Sequence, residues 1–273
     1  MKGNRTQGEK IQIKSPESLP RLARDFFARD GITVARELLG KILVHETGIG
    51  PVRGIITEVE SYMGEEDKGS HTYGGKRTER TEPMYHAGGT SYVYLIYGMY
   101  SCMNIAAMTE GIPQAVLLRS VIPADEESER RMIWLRQKAA ADRRSGKTKS
   151  GKAGKAGLPS FEKHLADGPG KLCIAMDITR ADNDVDMTES SRFYVTEGIR
   201  VEPSQIRAAK RIGIDYAEEA ADYLARADGH VKTAVMMALS GLDQAAAQSC
   251  LTACEGHLTQ ALENCHAAST VSA

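Results

Sequence analysis

Between Arg53 and Tyr62 the chain is rich in β-branched residues and alternates, which predicts a strand. A period of two then sets Ile56, Glu58, Glu60 and Tyr62 on one face. Two carboxylates and a phenol make a poor core, so this face is kept polar for some other purpose. A second strand, Ala115 to Ile122, places Arg119 on the face shared by Leu117 and Val121. A guanidinium among apolar neighbours needs an anion, so a carboxylate must approach it. Such a pair is either a structural tie across a sheet or a carboxylate held ionised for chemistry. Seven of the ten tyrosines fall between Tyr62 and Tyr100. Crowded phenols can be core packing, but beside basic residues they are also what stacking on nucleic-acid bases requires.

The elements that must position these residues are legible in outline. Leu19 to Gly40 reads as helical turns, followed by a short strand through Ile42, Leu43 and Val44. Met63 to Gly89 carries charge, glycine and turn formers, and reads as a long surface loop holding His71 and the Gly74-Gly75 pair. Ser91–Ile96 and Cys102–Met108 are β-rich and flank Tyr97-Gly98-Met99-Tyr100, a hairpin with large side chains at its tip. Tips usually carry small polar residues, so exposed Tyr and Met there point either to function or to packing on a neighbour. Glu126 to Lys138 reads as a charged helix, Asp142 to Gly157 as a disordered basic loop, and Phe193 to Val201 as a late strand. Gly146 to Lys152 has the look of a phosphate-binding loop, but Ala153 stands where a magnesium-binding hydroxyl must be and no hydrophobic strand precedes it. Nucleotide hydrolysis is therefore excluded.

Charge is unevenly spread. From Asp215 onward eight acids face two bases, a net of −6, which leaves the rest of the chain at +5. A basic body suggests a polyanion partner, and the acidic, alanine-rich tail suggests a different origin. Five cysteines without a paired framework fit a reducing compartment, and no stretch reaches the length of a membrane span. The expected setting is the cytoplasm, at the nucleoid.

Glu58-Val-Glu60-Ser-Tyr62, Tyr92-Val-Tyr94-Leu-Ile-Tyr97-Gly-Met-Tyr100, Met103-Asn104, Leu117-Leu-Arg119, Gly168-Pro-Gly-Lys-Leu172 and Arg211-Ile-Gly-Ile214 together resemble the alkyladenine (3-methyladenine) DNA glycosylases, from about Leu22 to Tyr223. The resemblance implies a single mixed α/β (α+β) domain on a curved antiparallel sheet with a protruding β-hairpin. It implies excision of alkylated or deaminated purines from double-stranded DNA by a monomeric, monofunctional enzyme of base excision repair, with neither metal nor cofactor. By position, Glu60 resembles the general base that deprotonates the attacking water, with Arg119 and the backbone carbonyl of Ile212 completing the water's cradle. Tyr62 resembles the residue that stacks on one face of the flipped base, with His71 and Tyr94 on the other. Asn104 resembles the residue that crowds the amino group of guanine. Tyr97 resembles the wedge that fills the gap left in the duplex, with Met99 and Tyr100 beside it in the minor groove.

The similarity stops at Tyr223. Family members continue with a short closing strand, whereas Ala225 to Leu262 is similar to the small helical tail of N-acetylmuramic acid 6-phosphate etherases, without the domain that carries etherase chemistry. The expected organisation is a flexible N-terminus over 1–18, a glycosylase domain over 19–223 and a helical tail over 224–273. Replacement of the closing strand leaves two alternatives open, a protein that binds lesions or duplex DNA with impaired catalysis and a helical interaction module riding on a crippled domain. Cys250, Cys254, His257 and Cys265 fit no common zinc spacing, and a pair of alanine-rich helices accounts for them better.

Overall fold

The computed structural model describes residues 13, 16–96, 98–147, 164–211, 226–227, 230–240, 242–254, 260–261 and 264, with the backbone alone at 144–147, 231, 234–235 and 238–239. Two earlier expectations, Tyr97 as wedge and the Ile212 carbonyl as part of the water's cradle, lie outside these residues. The chain divides into two compact units, Met1–Ala208 and Ala209–Ala273.

The first unit is built on an antiparallel hairpin. Strands β1 (Ile42–Thr47) and β2 (Gly50–Tyr62) are joined by Gly48 and Ile49, and the Thr47 hydroxyl closes the turn by donating to the Gly50 carbonyl at 2.6 Å. Strands β3 (Ser91–Ile96), β4 (Tyr100–Ala107), β5 (Gln114–Pro123) and β6 (Phe193–Thr196) complete a six-stranded sheet in the order β3-β4-β5-β2-β1-β6. Every pairing is antiparallel, and the sheet curls into half a barrel, as the mixed α/β reading expects. Helices α1 (Arg24–Phe27), α2 (Gly31–Leu38), α3 (Glu82–Tyr85), α4 (Glu126–Lys147) and α5 (Pro169–Ala175) surround it. Asp30 caps α2 by accepting from the amides of Ile32 and Thr33, and the helix buries Val34, Ala35 and Leu38.

One sheet face supplies the main core. Leu43, Val52, Ile56, Val116, Leu118 and Met103 meet Leu38 of α2, Met132 of α4 and Leu172 of α5. Both outer edges of the sheet are covered within this unit. The Ser91 amide on β3 donates to the Val185 carbonyl, and the Val93 amide donates to the Asn183 side chain. On β6, Val195 accepts from the Leu22 amide, and the Glu197 amide next to it donates to Pro20. Edges covered this way offer no ladder to another chain.

The simple alternation read from sequence fails at one place. Register between β2 and β5 slips between Ile56 and Glu58 and again between Glu58 and Val59. Thr57 is the extra residue on β2 and Arg119 the extra residue on β5, a pair of offset bulges. Ile56 therefore turns to the main core and does not share a face with Glu60, and Val121 joins that core rather than the face of Arg119 and Leu117. The second departure is α4, which continues through Asp142 to Lys147, past the point where composition predicts a loop. Residues 148–157 of that predicted loop lie outside the described residues.

The second unit contains α6 (Val231–Ser240) and α7 (Gln244–Ala253). Met236 and Met237 pack with Ala247 and Leu251 in a small core of its own, and Asp243 caps α7 through the Ala246 amide. Thr233, Met236 and Met237 are buried on α6 at spacings of three and four, as one face of a helix requires. Among the described residues no helix is long and apolar enough to cross a membrane.

Candidate active site

Cross-strand register lays a row of side chains across the second face of the sheet. Tyr92 pairs with Asn104, Asn104 with Leu117, and Leu117 with Glu60, so all four lie on one face on β3, β4, β5 and β2. Two strand spacings separate Asn104 from Glu60, roughly 10 Å, with Leu117 as the floor between them. Past the bulge, Glu60 and Tyr62 keep this face while Val59 packs on the main core.

Glu60 is 6 % exposed and is held at both oxygens. The Tyr62 hydroxyl donates to Oε2 at 2.9 Å, and Nη1 of Arg119 lies 3.2 Å from Oε1. Nε of Arg119 donates to Glu58 at 3.0 Å, so one guanidinium serves a buried carboxylate and a half-exposed one. The bulge at Arg119 also leaves its carbonyl to accept from the Gly168 amide at 2.9 Å, which ties the start of α5 to the site.

An aromatic wall stands beside this pair. The His71 ring meets Tyr94 edge-on with centroids 4.6 Å apart, and Tyr92 lies 5.2 Å from Tyr94. Nδ1 of His71 is 2.9 Å from the Tyr92 hydroxyl. Burial against these rings lowers the His71 pKa, and the charges of Arg80 and Lys76 lower it further, so the imidazole is neutral at physiological pH. Burial pushes the phenols of Tyr92 and Tyr94 up. Cys102, opposite Tyr94 in the register, is buried, which raises its thiol pKa; it hydrogen-bonds Tyr94 and feels both Arg119 and Glu60. It joins the carboxylate pair to the aromatic wall.

Asn104 is buried, and its Nδ2 donates to the Tyr92 carbonyl at 3.2 Å. At the hairpin tip Gly98 has φ +67°, a conformation costly for other residues, and Met99 is 68 % exposed with Leu95 at 41 %. Tyr100 is supported on two sides: the Arg143 guanidinium lies 4.7 Å from its ring centroid, and a Cβ at Gly170 would come within 3.1–3.3 Å of the Tyr100 side chain.

Glu60, Arg119, Tyr62, His71, Tyr94 and Asn104 thus converge, while Met99 and Tyr100 lie on the hairpin. Sequence reasoning gave no role to Glu58, Arg80, Tyr92 or Cys102. Tyr92 and Cys102 could have been found from β3–β4 register, since each stands opposite an assigned residue. Arg80 sits in a loop, where no periodicity points to it. Among the described residues no cluster of acids, histidines and cysteines has the arrangement of a metal site.

A buried carboxylate clamped by a guanidinium, an aromatic wall and an exposed apolar hairpin on a curled antiparallel sheet match a known class, the DNA glycosylases. The family model described as "Methylpurine-DNA glycosylase (MPG)" matches residues 25–227, and the chain belongs to this family. A protein of Clostridium acetobutylicum named "Putative 3-methyladenine DNA glycosylase" is 47% identical over 210 residues, covering 76% of this chain and 92% of that protein. A Clostridium perfringens protein of the same name is 42% identical over 208 residues, covering 76% and 94%. Membership implies an N-glycosyl hydrolase that acts on bases in DNA.

Proposed function

We propose that this protein removes alkylated and deaminated purines, 3-methyladenine and hypoxanthine among them, by flipping them from duplex DNA and hydrolysing the N-glycosidic bond with an activated water. The observation that carries this reading is Glu60, buried yet held at both oxygens by Tyr62 and Arg119. Glycosidic cleavage develops positive charge on the sugar. A fixed carboxylate near C1′ stabilises that charge and takes the water's proton as the oxygen attacks. Arg119 supplies the opposite charge beside this buried carboxylate.

Tyr62 stacks on one face of the extruded base and His71 with Tyr94 on the other, which suits an electron-poor ring. Asn104, held by the Tyr92 carbonyl, stands against the amino group of guanine and protects the normal base. Tyr97 fills the vacated stack, with Met99 and Tyr100 along the minor groove. The family resemblance assigns no lysine as a Schiff-base nucleophile, and the reading is of a monofunctional enzyme that acts as a monomer in the cytoplasm without metal or cofactor. Residues 19–223 form the catalytic domain and 224–273 a helical tail.

Single-turnover excision from a duplex carrying one hypoxanthine tests this. Wild type cleaves, and Glu60→Gln keeps lesion affinity while losing about two to four orders of magnitude in rate, the range of a positioned general base. Lesion affinity without excision in the wild type would replace this reading with that of a binding protein. Unchanged turnover in the variant would remove Glu60 from its role.

A further inference from the structure

Arg80 lies on the aromatic wall, with its guanidinium carbon 5.3 Å from the Tyr94 ring centroid. Arg77, three residues earlier, is matched by Glu82 through two hydrogen bonds. Among the described residues no carboxylate forms an ion pair with Arg80. Its charge nevertheless reaches into the wall: it lowers the pKa of His71, and it opposes the upward push of burial on Tyr92 and Tyr94. With His71 neutral, Arg80 is a fixed positive charge on the side of the site where the base is read.

We propose that Arg80 is a specificity-determining residue that favours neutral lesions over cationic ones. This rests on the reading of His71 and Tyr94 as the wall of the base site. In either case the electron pair of the C1′–N bond passes to the base. A neutral purine such as hypoxanthine leaves with developing negative charge, which Arg80 stabilises. A purine alkylated at N7 enters with a positive charge, which Arg80 opposes, and leaves neutral. Both effects move the balance the same way, and they offset the attraction that bare aromatic rings offer a cation. One unit charge on the order of 8 Å away, at the dielectric of bulk water, changes the ratio about two- to threefold.

The test compares second-order excision rates on two duplexes, one with 7-methylguanine and one with hypoxanthine, for wild type, Arg80→Gln and Arg80→Lys. Arg80→Gln is expected to raise the 7-methylguanine to hypoxanthine ratio about two- to threefold, and Arg80→Lys to restore it. A parallel NMR titration of His71 in the free protein is expected to move to higher pH in Arg80→Gln and not in Arg80→Lys. Equal loss on both lesions with no change in ratio would overturn the proposal and make Arg80 a phosphate contact. An unmoved His71 titration would overturn it without reference to catalysis. Failure of wild type to excise either base would overturn the glycosylase reading itself, and this proposal with it.

Discussion

Replacing Asp182 by Asn is expected to weaken the wall that carries Tyr92 and Tyr94, although Asp182 touches neither. Its side chain is 2 % exposed and lies between Nη1 of Arg192 at 2.5 Å and Nε2 of His45 at 3.4 Å. It also accepts from the Thr179 amide at 2.8 Å. Burial pushes this carboxyl up, but the hydrogen bonds from His45, the Thr179 amide and Arg192 outweigh it and bring the pKa to about 2. Against an ordinary value of 3.8, that depression contributes roughly 2 kcal/mol at neutral pH. Because the folded pKa is the lower one, the contribution is complete above about pH 4 and is lost as pH falls through about 2. Asp182→Asn should therefore lower Tm by about 4–8 °C at pH 7, with the gap narrowing between pH 4 and pH 2. The same segment covers the free edge of β3, where the Asp182 carbonyl accepts from the Ser91 hydroxyl at 2.6 Å. Amide exchange at Ser91 and Val93 should accordingly rise in the variant. Thermal melts across pH with hydrogen exchange at pH 7 give both readouts. A gap as wide at pH 2.5 as at pH 7 would refute the electrostatic account, and unchanged exchange at Ser91 would refute the link to the site.

Tyr62→Phe removes the hydroxyl that donates to Glu60 and keeps the ring. A hydrogen bond to a buried charge contributes about 1.5–3 kcal/mol, so single-turnover excision should fall by roughly 10- to 100-fold while lesion affinity changes little; loss of affinity without loss of rate would contradict this. Asn104→Ser removes the amide that bonds the Tyr92 carbonyl and should admit bases bearing the guanine amino group. If guanine release from undamaged duplex stays undetectable while hypoxanthine release survives, Asn104 is not the gate.

The carboxylate, guanidinium and phenol of the site were legible because their types violate the pattern of the strands that carry them. Glu58, Glu60 and Tyr62 follow the apolar pair Ile55-Ile56 on a β-branched strand, and Arg119 follows Leu117 and Leu118. The hairpin was legible for the same reason, as large side chains occupy a turn. What escaped has no signature in composition. The bulges at Thr57 and Arg119 depend on register between two strands far apart in sequence, so alternation misplaced Ile56 and Val121. The hydrogen bond between His71 and Tyr92 joins a loop to a strand, and neither residue type announces it. Helix α4 runs on through Ala139-Ala-Ala141 and Arg143, good helix formers that carry it into a stretch whose glycine and lysine content reads as loop.

The paired bulges make the pairing at position 57 a tighter constraint than the side chain there. Thr57 is exposed and takes no part in the main core, so replacing it should be tolerated. Drawing it into the ladder is another matter. With Thr57 and Arg119 both paired, strict alternation from Ile56 onward would turn Val59 out to the site and Glu60 towards the main core. A carboxylate would then stand on the face that packs against Leu38, Met132 and Leu172, and the fold could keep its strands or its site but not both. Over evolutionary time, a lineage that keeps this activity can vary the residue at position 57 freely so long as the strand stays bulged there.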